Sequence, residues 1–269
     1  MTTPSYPKTP ANKLGRLANR GSYDYTTIHT LLNTCPILHV SFTDPDADHP
    51  FPVVLPMLGC TGNFENQEAD PALEPQDLYL HGYVSGRMFR RGREAGGDAE
   101  GEEGERGLPM TVAASFLDGL VLSLTPFHNS CNYRSAIAHG YAHPVTSPTE
   151  SLYALRLITD SLLPSRWSSS RTPPTPAELS STGLLRIRIV SASAKVRVGG
   201  PKEDRKDLKN EELVASTWTG VVPFWGTWGD PVTAEGSGRG VEGYVEEWRV
   251  EETEKAREYA VEAVGMKGK

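Results

Sequence analysis

A chain of 269 residues can hold one large domain or two small ones, and at either size it can bury a sizeable core. Its 38% hydrophobic content, with 26 glycines and 21 prolines, fits one globular domain with polar, turn-rich additions. A net charge of −7 argues against a general nucleic-acid or anionic-membrane surface, while leaving room for a local anion site built from two or three donors.

Residues 1–20, rich in Pro, Thr and Lys, read as a flexible N-terminal arm. Ser22 or Asp24 can cap a short helix over 25–32, with Ile28, Leu31 and Leu32 as its apolar stripe. Strand formers dominate 35–42, a turn cluster fills 44–50, and 51–58 is the return strand, where Pro52 and Pro56 favour an edge. A third strand covers 78–83. The Gly/Glu/Arg-rich stretch 90–107 lacks apolar surface to bury and is expected to be a disordered insertion. Asp118-Gly119 is a two-residue hairpin signal between strands over 109–116 and 120–124. A sixth strand follows over 135–145.

Ser147-Pro148-Thr149-Glu150 is a capping box that opens an amphipathic helix over 149–163. Polar loops are expected at 166–181 and 199–210. Between them, 184–198 alternates apolar and polar residues as a half-buried strand does. A short aromatic strand over 218–222 follows, and 243–269 forms a Glu-rich helical tail. The pattern is mainly β, a barrel decorated by helices, with the central domain over 21–242.

Cys35, Cys60 and Cys131 are odd in number and lack metal-type spacing, which points to a reduced, intracellular chain. Residues 1–21 lack a signal-type apolar core, and no apolar run suits a bilayer span, so a cytoplasmic location is expected. Ser85-Gly86-Arg87 follows a strand and brings together a hydroxyl, a close-approach glycine and a guanidinium, a set that can coordinate a phosphate; an exposed turn is the alternative. Asn132-Tyr133-Arg134-Ser135 heads another strand. Alternation there separates Arg134, free to meet a phosphate or a carboxylate, from Tyr133 and Ser135 on the other face. His81 precedes Gly82 and can serve as proton donor, ligand contact or structural residue. His139 and His143 share a strand face, but no histidine shows metal-ligand spacing, and no metal is expected. Trp218, Trp225 and Trp228 crowd one segment and can wall a planar ligand or pack a core.

The order of these motifs resembles a known family. A helix with I-x-x-L-L is followed by H-V-S-F, P-V-V-L-P-M, L-Y-L-H-G, S-G-R, a D-G step, N-Y-R-S and H-G-Y-A. It is similar to the flavin-nucleotide-binding branch of the pyridoxamine 5′-phosphate oxidase-like split barrels, related to nitroimidazole-resistance reductases. The resemblance covers residues 21–163, with an echo at 218–223. It implies an antiparallel six-stranded Greek-key-type barrel, a homodimer, and FMN at the subunit interface. By position it implies flavin contacts from Val54, Leu55, Pro56 and Met57, from His81, from Ser85 and Arg87, and from Tyr133, Arg134, Ser135 and Trp218. His81 is the candidate catalytic residue. The implied activity is an FMN-dependent oxidoreductase taking electrons from NAD(P)H for a small-molecule substrate. A non-catalytic flavin or haem carrier, with His81 or His128 as axial ligand, is the alternative. A barrel that has lost its cofactor is a third possibility. The C-terminal residues that handle the vitamin in pyridoxamine phosphate oxidases have no counterpart, which sets pyridoxamine phosphate aside as the expected substrate.

Overall fold

The computed structural model describes residues 3–98 and 107–268. In chain order the elements are β1 (Gly21–Ser22), α1 (Tyr25–Thr34), β2 (Leu38–Phe42), β3 (Val53–Met57), β4 (Gly59–Gly62), β5 (Asp77–Tyr83), α2 (Arg87–Asp98) and β6 (Leu108–Leu122). They continue with β7 (Ser130–Pro144), α3 (Pro148–Leu162), α4 (Pro176–Ser181), β8 (Thr182–Arg197), α5 (Arg205–Leu208), α6 (Glu211–Ser216), β9 (Gly220–Pro223) and α7 (Gly243–Gly265). The chain divides into two compact units, Met1–Ser115 with Ser135–Ala194, and Phe116–Arg134 with Lys195–Lys269. Strands β6, β7 and β8 contribute residues to both.

The fold is mainly β with helices, as the sequence implied. The sheet has nine strands rather than six, ordered β3-β2-β6-β7-β8-β5-β4, with β1 on β8 and β9 on β6. In the first unit the pairings β2–β3, β2–β6, β4–β5 and β5–β8 are antiparallel. Strands β3 and β4 stand at opposite ends of this order, yet Leu58 alone separates them. Six steps of about 4.8 Å would hold the edges of a flat sheet roughly 29 Å apart, whereas a single intervening residue spans at most about 7.6 Å. The sheet is therefore rolled until its edges meet at Leu58, and no strand pairing closes that seam among the described residues.

Alternation decides which side chains fill this first unit. Leu38, Val40 and Phe42 of β2 are buried while His39 is exposed. Paired residues bury together: Val40 with Val112, Leu78 with Ile187, and Leu80 with Leu185. Each such side chain contributes about 1.5–3 kcal/mol on full burial. A second layer, Cys60, Tyr79, Ala154, Ile158 and Leu184, seats α3 on the sheet. That helix starts where the capping box placed it, with Ser147 accepting from the Glu150 N–H, and α1 is capped by Asp24 through Thr27.

Four sequence expectations are corrected. The arm is not free: Tyr6 is buried with its hydroxyl 2.7 Å from His29 Nε2, and Asn12 Nδ2 donates to Ala192 O at 3.0 Å. The Asp118-Gly119 step does not turn, because β6 runs straight through it. In the second unit β9 pairs with Gly119–Leu122 and the Phe224 N–H donates to Asp118 O, which holds the step extended. Residues 90–98 of the expected insertion belong to α2, while 99–106 lie outside the described residues. The polar loops contain short helices, α4, opened by a Thr175–Glu178 capping box, and α5, whose N-cap Asp204 makes no side-chain cap bond. The helical tail is α7.

Candidate functional site

Helix α2 exists because Met88 and Phe89 at its start are buried. Gly82 of β5 and Gly183 of β8 are register partners. A Cβ at either would come within 2.6 and 2.7 Å of the Phe89 ring, so the two glycines form the slot that receives it. Gly92 does the same one turn on, where a Cβ would meet Leu185 Cδ2 at 2.6 Å. The helix is thus locked to the end of β5, and Ser85-Gly86-Arg87 becomes its N-terminal entry. The Gly86 N–H donates to Tyr83 O at 2.8 Å, closing the turn. The first-turn N–H groups of Arg87, Met88 and Phe89 have no acceptor within the helix, as at any helix N-terminus, an arrangement that favours an anion.

Arg87 stands 3.8 Å from the buried carboxylate of Asp44, with its side chain 48% exposed. Asp44 is held more closely by Arg91 at 2.8 Å, and Arg91 also meets Asp46 and Glu94 at 2.6 Å each. The Arg87 guanidinium is therefore oriented by a carboxylate that already has a nearer partner, and half of its surface remains open. Ser85 is exposed beside it.

His81 lies across from Leu184 in the β5–β8 register. Its Nδ1 is buried and makes no hydrogen bond, and burial lowers the pKa of the ring, so the imidazole is neutral at pH 7. Strand β3 is an edge of the sheet, which leaves half of its backbone groups without a strand partner. Val54 and Pro56 face outward and Val53, Leu55 and Met57 are half-buried. Met57 comes to β5: its Cε is 3.7 Å from the Cβ position of Gly82. The first unit thus gathers Met57, Gly82 beside His81, and the Ser85–Arg87 turn.

Other sequence-predicted residues are placed elsewhere. Ser135 is half-buried in the first unit, while Tyr133, Arg134 and Trp218 belong to the second. Arg134 takes the carboxylate that the sequence left open as one of its two partners. It grips Asp118 in bidentate fashion, Nη2 at 2.7 Å and Nε at 3.0 Å, with the Asp118 side chain 4% exposed. Its guanidinium lies 3.7 Å from the ring centroid of Tyr259 and 4.7 Å from that of Phe116. This cation is committed to a protein site, and sequence reasoning could not name its partners because neither Asp118 nor Tyr259 stands near it in the chain. Trp218 is exposed, with its ring over Gly220, and Trp228 packs on Trp248 at 4.9 Å rather than on the other members of its segment.

His139 Nδ1 is 2.9 Å from Thr111 Oγ1. The His143 pKa is lowered by burial and then by Arg186 and Arg188. A cavity of about 420 Å³ beside α3, lined by Tyr153, Arg156, Trp167 and Pro173 among others, contains none of the predicted site residues. A buried network that the sequence did not reveal runs from Tyr79 Oη to Glu150 Oε1 at 3.1 Å and on to Arg186 at 3.1 Å. No helix of the described residues is long and apolar enough to cross a membrane.

Comparison with known proteins adds three findings. Residues 24–196 match the family model described as pyridoxamine 5′-phosphate oxidase. No curated protein matches the sequence. Among solved structures, the flavocytochrome Anf3 from Azotobacter vinelandii is 23% identical, with 90% of this chain and 97% of that one covered at a TM-score of 0.69. The FAD and heme binding protein from Mycobacterium smegmatis is 25% identical, with 86% and 97% covered at a TM-score of 0.66.

Proposed function

The chain belongs to the pyridoxamine 5′-phosphate oxidase family, and from that premise we propose that it is a flavoprotein, an FMN-dependent oxidoreductase acting on a small molecule with NAD(P)H as donor. The observation that carries the reading is the junction of the β3 edge, the end of β5 and the N-terminus of α2. There Arg87, Ser85 and the first-turn N–H groups form an anion site. The residues fit a flavin phosphate: the Ser85 and Arg87 side chains are exposed, and Asp44 is offset by Arg91. The unpaired backbone of Val54 to Met57 suits the polar edge of a flavin ring, and neutral His81 stands next to the same junction. A bound flavin supplies the redox chemistry, while the protein binds and orients it and tunes the ring through backbone groups.

In this reading the rolled sheet is the family's split barrel. The exposed β3 face, with Val54 56% exposed, is completed by a second copy, giving a cytoplasmic homodimer. Ser135 is taken with that face. Tyr133, Arg134 and Trp218 lie in the second unit and carry no role in this reading. The absorbance spectrum of the purified protein, with titration of apo-protein by FMN, FAD and riboflavin, tests the assignment. A flavin spectrum and tighter binding of the phosphorylated forms are expected. Equal affinity for riboflavin would remove the phosphate site.

A second reading, a flavin protein that also holds haem, is favoured by the two likenesses above, one to a flavocytochrome and the other to an FAD and heme binding protein. His81, with a buried nitrogen lacking a partner, is the candidate ligand. His29 has both ring nitrogens engaged, by Tyr6 and Pro71. A Soret band lost in His81→Ala supports this reading, and its absence after reconstitution with haem excludes it.

A further inference from the structure

The second unit gathers a set of ligating side chains that the sequence spacing did not suggest. His128 ends a 3₁₀ turn, Pro126–His128, and Asp204 and Asp207 flank the start of α5. One ligating atom from each lies within 4.8 Å of the other two. Surrounding contacts fix both segments. The Ser123 N–H donates to Asn129 Oδ1 at 2.8 Å, Ser123 Oγ donates to His128 O at 3.0 Å, and the Leu124 N–H donates to Glu203 Oε1 at 2.9 Å. The three residues are thus brought together by their neighbours. Among the described residues no hydrogen bond or ion pair joins His128 to either aspartate.

Two features set this cluster apart from an ordinary acidic surface. Asp204 is the N-cap of α5, a position where an aspartate normally accepts from a first-turn N–H, yet its carboxylate makes no cap bond. The adjoining Glu203 adds a third carboxylate to the segment; its Oε1 accepts from the Leu124 N–H, and its buried Oε2 has no hydrogen-bond partner. A cation held by the ligating atoms of His128, Asp204 and Asp207 would neutralise the two aspartates. One imidazole nitrogen with two carboxylate oxygens suits a borderline first-row divalent ion, rather than calcium, which takes oxygens alone, or copper(I), which takes sulfur. The 3.4 Å contact of His128 Nδ1 with Thr125 Oγ1 orients the ring and leaves Nε2 to ligate.

We propose that His128, Asp204 and Asp207 form a binding site for a divalent cation of the zinc or manganese type, which staples segment 199–210 to the 123–129 turn. The test is titration of chelator-treated, full-length protein with Mn²⁺, followed by loss of the aqueous Mn²⁺ resonance, with Zn²⁺ and Ca²⁺ as competitors. One saturable site per chain is expected, displaced by Zn²⁺ and not by Ca²⁺. Asp204→Asn, Asp207→Asn and His128→Gln should each weaken it by roughly tenfold or more, while Glu254→Gln, an exposed carboxylate on α7, leaves it unchanged. Added Zn²⁺ should also slow amide hydrogen exchange across 199–210 in the wild type, a readout that needs no variant to fold. Absence of a saturable site, wild-type affinity in all three variants, preferential displacement by Ca²⁺, or unchanged exchange would each overturn the proposal. Flavin absorbance recorded on the same samples keeps this result separate from the flavin reading.

Discussion

Replacing Arg87 by Ala separates the proposed phosphate site from everything else the β5–α2 junction does. Its side chain is 48% exposed and 3.8 Å from Asp44, so its charge is neither deeply buried nor tightly paired. At 4 Å a unit charge pair is worth about 1 kcal/mol in bulk water and about 4 kcal/mol near a protein surface. A hydrogen bond to a charged group contributes about 1.5–3 kcal/mol net. A half-exposed guanidinium on a phosphate belongs in that interval, so Arg87→Ala should weaken FMN binding by about 1.5–3 kcal/mol, roughly 10- to 150-fold. The fold should hardly notice. Asp44 keeps Arg91 at 2.8 Å, so no carboxylate is left bare, and stability should change by no more than about 0.5 kcal/mol. Quenching of flavin fluorescence on titration of apo-protein measures both ligands. FMN should lose affinity while riboflavin, lacking the phosphate, keeps its own, and the loss should shrink as salt is raised. An equal loss for both ligands would mean that Arg87 acts through the fold. No loss for FMN would refute the phosphate site.

Gly183→Val should fill the slot that holds Phe89, costing about 1–3 kcal/mol in urea melts and weakening FMN through displaced α2, although Gly183 touches no ligand; unchanged FMN affinity would show that the helix does not set the site. Arg134→Met leaves Asp118, with its side chain 4% exposed, buried and unpaired, and should cost about 3–5 kcal/mol. The double variant Arg134→Met with Asp118→Leu should recover most of that loss, and failure to recover would mean that the ring stacking dominates. Burial lowers the pKa of both His29 and His81 below the ordinary imidazole value of 6.5. As pH falls through about 6.5 the unfolded chain takes up protons that the folded chain refuses, so stability is complete above that value and declines below it. Urea melts between pH 7.5 and 5.5 should show the decline, with a shallower slope in His29→Gln; a slope that variant leaves untouched would assign the protons elsewhere.

The parts of the fold legible in the sequence are those whose signal is local. Asp24 and Ser147 announce α1 and α3 because a cap is settled within one turn. Strand β8 shows itself by alternation, since one of its faces is buried along most of its length. What failed was decided by distant partners. The Asp118-Gly119 step carries a turn signal, but pairing with β9 and the Phe224 N–H outweighs a two-residue preference. The stretch 90–98 has the composition of an unstructured segment. It is helical because Phe89, just before it, inserts between Gly82 and Gly183, residues that become neighbours only when β5 and β8 pair.

The site divides along the same line. Ser85-Gly86-Arg87 could be read as a turn after a strand because its signals are local, whereas the helix start that follows it depends on the Phe89 slot between β5 and β8 and could not. Arg134 could not be resolved, because a guanidinium at a strand head looks the same in sequence whether a phosphate or a carboxylate awaits it. The deciding facts are that Arg134 follows the parity of the buried residues Asn132 and Ala136 of β7, and that Asp118 is buried where it can reach. A buried carboxylate must find a cation, since its desolvation costs several kcal/mol, whereas a ligand phosphate is only intermittently present. Where a permanent internal anion and an occasional external one compete for one arginine, the internal one holds it. In the proposed flavin reading the phosphate is therefore to be sought at Arg87, whose carboxylate partner already has a closer cation in Arg91.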